Sequence, residues 1–239
     1  METNGEGDSM RIVFFDMEFA NGKIPGSVYS FGFVRTNERF ELTEPQTDLL
    51  MNPECEWNDY VRQHILAYPM KTVESAASFP RYYRRIRRLL RRADLTVGFA
   101  VQNDIKALTK VCERYRLKPI DFSCLDMERF CRARKDYPEA HGLDGYVRAY
   151  CGISPRDRHR SDGDAYATML LLRELCRRLG LSPQQLAKQS AAHMVHAKSF
   201  AAPKKTKRAI LPHHRSSTGT QDTQAAASAA KAAPSSRHP

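Results

Sequence analysis

Four apolar residues in a row, Ile12 to Phe15, lead straight into Asp16, and a second acid, Glu18, follows two positions on. A run of this kind, two of its members aromatic and none polar, reads as a strand buried on both faces. Side chains alternate along a strand, so residues two apart share a face. A strand that persists through Glu18 therefore points both acids the same way. Two carboxylates side by side at the end of a buried strand repel each other, and such an arrangement needs compensation.

The rest of the first 200 residues alternates in type. Strands are expected at 11–16, 27–35, 39–43, 95–99 and around 120–124. The "NGKIPG" stretch between the first two reads as a turn, which makes that pair antiparallel. From Phe79 to Ala93, apolar residues recur at helical spacing on one side. Further helices are expected at 103–116, 126–134, 142–151 and 162–179. Antiparallel strands followed by strands alternating with helices predict an α/β fold with a mixed five-stranded sheet flanked by helices.

From Ala201 to Pro239 the chain carries seven basic residues against one acid, Asp222, and almost nothing that could form a core. Such a segment cannot offset the entropy of ordering, so 201–239 is expected to be a disordered basic tail. It reads either as a solvated linker, as a weak nucleic-acid-binding arm or as a tether to a polymerase or other protein. Residues 1–9 are expected to be a flexible N-terminus, 10–182 the folded domain and 183–200 a helical extension. The formal net charge of +11 suits an anionic partner such as nucleic acid. No apolar run reaches the length of a membrane span, and the acidic N-terminus lacks the pattern of a secretory signal. The six scattered cysteines form no CxxC pair, so reduced thiols in a cytoplasmic protein are expected rather than disulfides or a zinc site. Nothing in the chain speaks to oligomeric state.

Two further acids sit where a site would form. In "LTVGFAVQNDIKAL" a short strand runs through a loop into a helix, and Asp104 lies near the strand's C-terminal end, where α/β sheets place ligands. The plain alternative is capping, with Asn103 as N-cap and Asp104 favoured by the helix dipole. In "RHRSDGDAYATMLLLREL", Asp164 falls in the first turn of a helix, five residues after His159. Ser161 and Asp164 also have the spacing of a capping box. Four clustered carboxylates would suit divalent cations with hard oxygen ligands. Two such ions about 3.5–4 Å apart form a clamp for displacement at phosphorus. A nearby histidine, with an ordinary pKa of about 6.5, can take a proton.

"FFDMEF", "GFAVQNDIKAL" and "HRSDGDA" resemble, in order, the three motifs of the DEDDh family of 3′-to-5′ exonucleases, which have an RNase H-like fold. "HGLDGYVRAYCGI" resembles the family's helix ahead of the third motif. The resemblance covers roughly residues 10 to 180. It implies that Asp16, Glu18, Asp104 and Asp164 hold two Mg²⁺ or Mn²⁺ ions and that His159 is the general base. It also implies that nucleic acid with a free 3′ end, RNA or DNA, is cut to nucleoside 5′-monophosphates. Substrate contacts are expected from Met17, Phe19 and Asn103, with Phe19 either stacking on a base or packing in the core. "DMEFANG" departs here from the "DxETTG" of many members, and Phe99 stands where histidine is common. Seven arginines crowd the stretch from Arg81 to Arg92 with no acid among them. Their helix reads as a solvated face or as a surface for phosphate, with Arg84 and Arg88 as substrate-binding candidates. Two other classes stay open: a non-catalytic nucleic-acid-binding module, and a proofreading-type subunit tethered to a polymerase.

Overall fold

A computed structural model describes residues 9–155 and 159–200. All but Ser9 of the expected flexible N-terminus 1–9, and the whole of the expected basic tail 201–239, lie outside the described residues.

The first strand, β1 (Ile12–Phe19), does run through Glu18 and lies near the centre of the sheet. It pairs antiparallel with β2 (Val28–Thr36), as the intervening turn predicts, and β2 pairs antiparallel with β3 (Thr47–Leu50). On its other side β1 runs parallel to β4 (Leu95–Gly98), which runs parallel to β5 (Ser123–Asp126). The order is β3-β2-β1-β4-β5-β6, six strands rather than five.

Two expectations about the sheet need correction. The third strand lies not at 39–43 but at Thr47–Leu50. After β2 the chain turns tightly: the Asn37 side chain accepts from the backbone of Arg39 and Glu41, and Phe40 takes a left-handed φ of +61°. Only an isolated bridge between Thr36 and Leu42 forms before Pro45, which has no N–H to donate. The segment 183–200 is not helical throughout, since a strand interrupts it between short 3-10 turns at Ala191–His193 and Ala197–Phe200. After α7 (Pro183–Gln189) it forms β6 (Met194–His196), which adds antiparallel to β5.

The helices fall close to their expected places. A short α1 (Met70–Glu74) precedes α2 (Phe79–Arg92), α3 (Gln102–Arg114), α4 (Met127–Arg134), α5 (Gly142–Cys151) and α6 (Ser161–Leu179). Alternation on β1 sorts them into two layers. Ile12 and Phe14 pack with α5 and α6 residues such as Val147, Leu171 and Leu172. Val13, Phe15 and Met17 pack with Ile86 and Leu90 of α2 and with Ile105 and Leu108 of α3. Asp16 and Glu18 therefore point to the α6 side. The six cysteines are all free thiols. Among the described residues no helix is long and apolar enough to cross a membrane.

Candidate active site

The strand's alternation sets Asp16 and Glu18 on one face, and the first turn of α6 delivers Asp164 to them. Each of the three offers a carboxylate oxygen, and these oxygens all lie within 4.8 Å of one another. The approach of α6 depends on Gly32, which pairs with Asp16 in the β1–β2 ladder. A Cβ at residue 32 would come within 2.0 Å of the backbone of Ser161 and Asp162. The helix thus begins directly on the backbone of β2. A glycine inside a strand marks such a close approach.

Part of Asp16 stays open, yet the protein around its carboxyl pushes the pKa well above the ordinary range. Burial contributes most, followed by the charges of Asp104, Asp164, Glu18 and Asp48. Asp104, in the first turn of α3, is buried, and its pKa is raised well above normal by that burial and then by Asp126. It stands outside the tight group of three but is the acid that Asp16 feels most. Asp104 and Asp164 do lie in first turns, where the helix dipole favours an acid, but the expected caps do not form. The N-cap of α3 is Val101 rather than Asn103, and no side chain caps it. The N-cap of α6 is Arg160, and the Ser161 hydroxyl meets Ser30 instead of a helix N–H.

Three hard carboxylate oxygens held this close, with a fourth acid beside them, fit a divalent cation of the Mg²⁺ or Mn²⁺ kind. Burial and like charges disfavour the ionised form of a carboxyl such as Asp16, and positive charge joining the group relieves that penalty.

His159 immediately precedes the α6 N-cap, half-exposed, with a left-handed φ of +61°. Its neighbour Arg160 donates from Nε and Nη2 to the two carboxylate oxygens of Asp162, at 3.2 Å each, and its guanidinium lies over the Tyr68 ring, 5.2 Å from the centroid. Gln46 donates a further bond to Asp162. Asp48 accepts from Ser30 and Tyr68, at 2.6 and 2.5 Å. These contacts fasten the start of α6, and with it the backbone next to His159, onto β2 and β3.

Sequence reasoning missed Asp48, Asp126 and Asp162. Asp126 is buried at the end of β5, where its side chain accepts from the backbone N–H groups of Glu128 and Arg129 as the N-cap of α4. It also accepts from Ala100, on the turn that leads into α3. An aspartate between a strand and a helix was a legible capping signal. Asp48 and Asp162 carried none, because their partners lie far away in sequence.

The expected substrate contacts fare unevenly. The Met17 side chain is buried in the α2–α3 layer, on the strand face opposite Asp16, so it offers no surface to a ligand. Phe19 shares that parity and packs against the same layer, which favours the core alternative. Asn103 is exposed and lines, with Arg129, Arg132 and His193, a cavity of about 550 Å³ beside Asp126. Arg84 and Arg88 belong to α2, across the sheet from the acids. Any contact they make with nucleic acid is therefore away from the carboxylate cluster.

Residues 13–172 match the family model described as exonuclease, of the RNase T type. No curated protein matches the chain. Among solved structures, a 3′-exonuclease recognising a histone mRNA stem-loop is similar at 14% identity and a TM-score of 0.60, over 72% of this chain and 84% of that one. The nuclease domain of 3′hExo, a DEDDh family member bound to rAMP, is similar at 14% identity and a TM-score of 0.58, over 73% of this chain and 94% of that one. Exonuclease I is similar at 19% identity and a TM-score of 0.59, over 70% of this chain but only 41% of its own length. At these identities the likeness speaks to the fold, which is RNase H-like.

Proposed function

Because the chain belongs to the RNase T-type exonuclease family, we propose that it removes nucleotides one at a time from the 3′ end of single-stranded RNA or DNA. The observation that carries this reading is the group of carboxylate oxygens of Asp16, Glu18 and Asp164, all within 4.8 Å of one another. With Asp104 beside them, these acids would hold two Mg²⁺ or Mn²⁺ ions, which, when bound, offset the carboxylates' mutual repulsion and polarise the phosphodiester.

The other roles fall to the chain's own groups. His159 takes a proton from the attacking water. The new P–O bond forms as the bond from phosphorus to the preceding 3′ oxygen breaks. The products are a nucleoside 5′-monophosphate and a chain one residue shorter, again with a 3′-hydroxyl. Arg160, fixed to Asp162 and stacked on Tyr68, keeps the backbone at His159 in place.

The test uses 5′-labelled single-stranded RNA and DNA of one sequence, with Mg²⁺, Mn²⁺ or EDTA. The expected result is a ladder that shortens from the 3′ end, falling to the EDTA level in Asp16→Asn and Asp164→Asn. Near-wild-type turnover in either variant would overturn the assignment. Binding without shortening under both metals would favour a non-catalytic nucleic-acid-binding module.

A further inference from the structure

The arginines of α2 are unexplained by the catalytic centre. Arg84, Arg87, Arg88, Arg91 and Arg92 line an open groove of about 790 Å³, together with Tyr83. The opposite wall comes from the segment after α3, which brings Arg116 and Lys118. The Tyr83 hydroxyl donates to the Lys118 carbonyl at 2.8 Å and holds that wall against the helix. No acid lines the groove. The neighbouring Arg85 is engaged, with its guanidinium over the Phe33 ring and 4.0 Å from Glu44. The groove cations, by contrast, make no ion pair with any described residue.

At 100° per residue, Arg84, Arg87, Arg88 and Arg91 form one stripe along the helix. Like charges at these spacings weaken a helix, so the stripe opposes folding unless an anion meets it. Successive guanidiniums stand about one turn, roughly 5.4 Å, apart, and each can grip a phosphate through two N–H groups.

The groove lies far from the acids. Arg88 also lines a second cavity, together with Val13 near the start of β1, whereas Asp16 and Glu18 occupy the end of that strand and face the other way. From Val13 to Glu18 the strand alone spans about 17 Å. A stacked strand advances about 3.4 Å per phosphate, so a stacked substrate runs roughly five nucleotides over that length alone.

We propose that the arginine face of α2 is a second nucleic-acid site, which holds the phosphate backbone on the 5′ side of a strand whose 3′ end is in the catalytic centre. The position of the 3′ end rests on the exonuclease reading; binding at the groove is tested apart from it. The site is not sequence-specific, since only phosphates are within its chemistry. It makes affinity depend on length and on salt.

The experiment measures binding of a labelled oligonucleotide of about 20 residues in EDTA, where nothing can turn over, across a salt series. Wild type is compared with Arg84→Gln/Arg88→Gln/Arg91→Gln and with the same three positions changed to Lys. The expected result is at least a tenfold weaker Kd for the Gln variant. Its slope of log affinity on log salt is shallower by about 2, at roughly 0.7 per lost contact to a single strand. The Lys variant keeps the slope. In turnover, the long substrate's KM rises while kcat holds, and the KM advantage of a 20-mer over a dinucleotide shrinks. Equal affinity and equal slope in wild type and the Gln variant would overturn the proposal. Polyglutamate competing as well as DNA at equal charge would overturn the nucleic-acid assignment in favour of an acidic protein. A wild type that binds through this face but never shortens the strand would instead overturn the exonuclease reading alone.

Discussion

A single carboxyl, Asp104, shows what the cluster costs the fold. Burial and Asp126 raise its pKa, and its own charge in turn raises that of Asp16. A folded-state pKa above the unfolded value of about 3.9 means that the folded protein binds the extra proton. The stability linked to that proton is fully present below the unfolded pKa. It is lost as pH rises through the folded one. In EDTA, wild type should therefore lose stability as pH rises from about 4 toward 7.5, and Asp104→Asn should flatten that loss. At pH 7.5 the variant should be the more stable by on the order of 1–2 kcal/mol. For a domain of this size that is about 2–8 °C in Tm. Mn²⁺ should raise the Tm of wild type more than that of the variant. Thermal unfolding at the two pH values, with and without Mn²⁺, checks both. A steeper pH dependence in the variant would show that Asp104 is not a source of the strain.

Among the elements, the contact of α6 with β2 decides whether the acids meet at all. Gly32→Ala would place a methyl 2.0 Å from the backbone of Ser161 and Asp162, so the start of α6 must move outward. Asp164 moves with it, away from Asp16 and Glu18. Overpacking of this kind costs about 1–3 kcal/mol. A displacement of about 1 Å at a reacting centre can cost about 10²-fold in rate. Gly32→Ala should therefore lower kcat far more than its loss of Tm suggests, and stopped or single-turnover assays beside a melting curve would read both. Unchanged kcat would mean that α6 can shift without carrying Asp164.

The same contact marks how far the sequence was legible. The unbroken apolar run placed β1, and helical periodicity placed α2 through α6, because each signal is local. The four acids and His159 stood out through motifs at family spacing. What was lost depends on contacts between distant residues. Asp48 and Asp162 have no local signature, and β6 is three residues long, too short for any pattern to rise above its surroundings. The third strand was misplaced because alternation continues past the Asn37 turn while the hydrogen-bond ladder does not. The layer that α2 joins was not legible either, because periodicity defines a helix's apolar face but not the sheet face that receives it.

At the scale of the molecule, the matched family region and the folded body are not the same length. The family match ends at residue 172, yet the sheet is completed by Met194–His196. Residues beyond Gly180 enter both layers: Leu186 packs on the α5–α6 side, and Val195 and Ala197 pack on the α2–α3 side. Ser123 and His196 meet at 2.7 Å across the new pair of strands, and the His193 ring stands edge-on to Phe130. Without β6, the β5 strand becomes an unpaired edge, a template for pairing with other chains. A chain ending at residue 182 would also lose the burial of Leu186 and Val195, at about 1.5–3 kcal/mol each. Against a chain ending at residue 200, it should unfold about 10 °C lower or more, since each kcal/mol shifts Tm by about 2–4 °C in a domain of this size. It should also form aggregates on heating, which light scattering would detect. Equal melting temperatures for the two chains would mean that the sheet is stable without its last strand. In that case the stable body would end at or before residue 182.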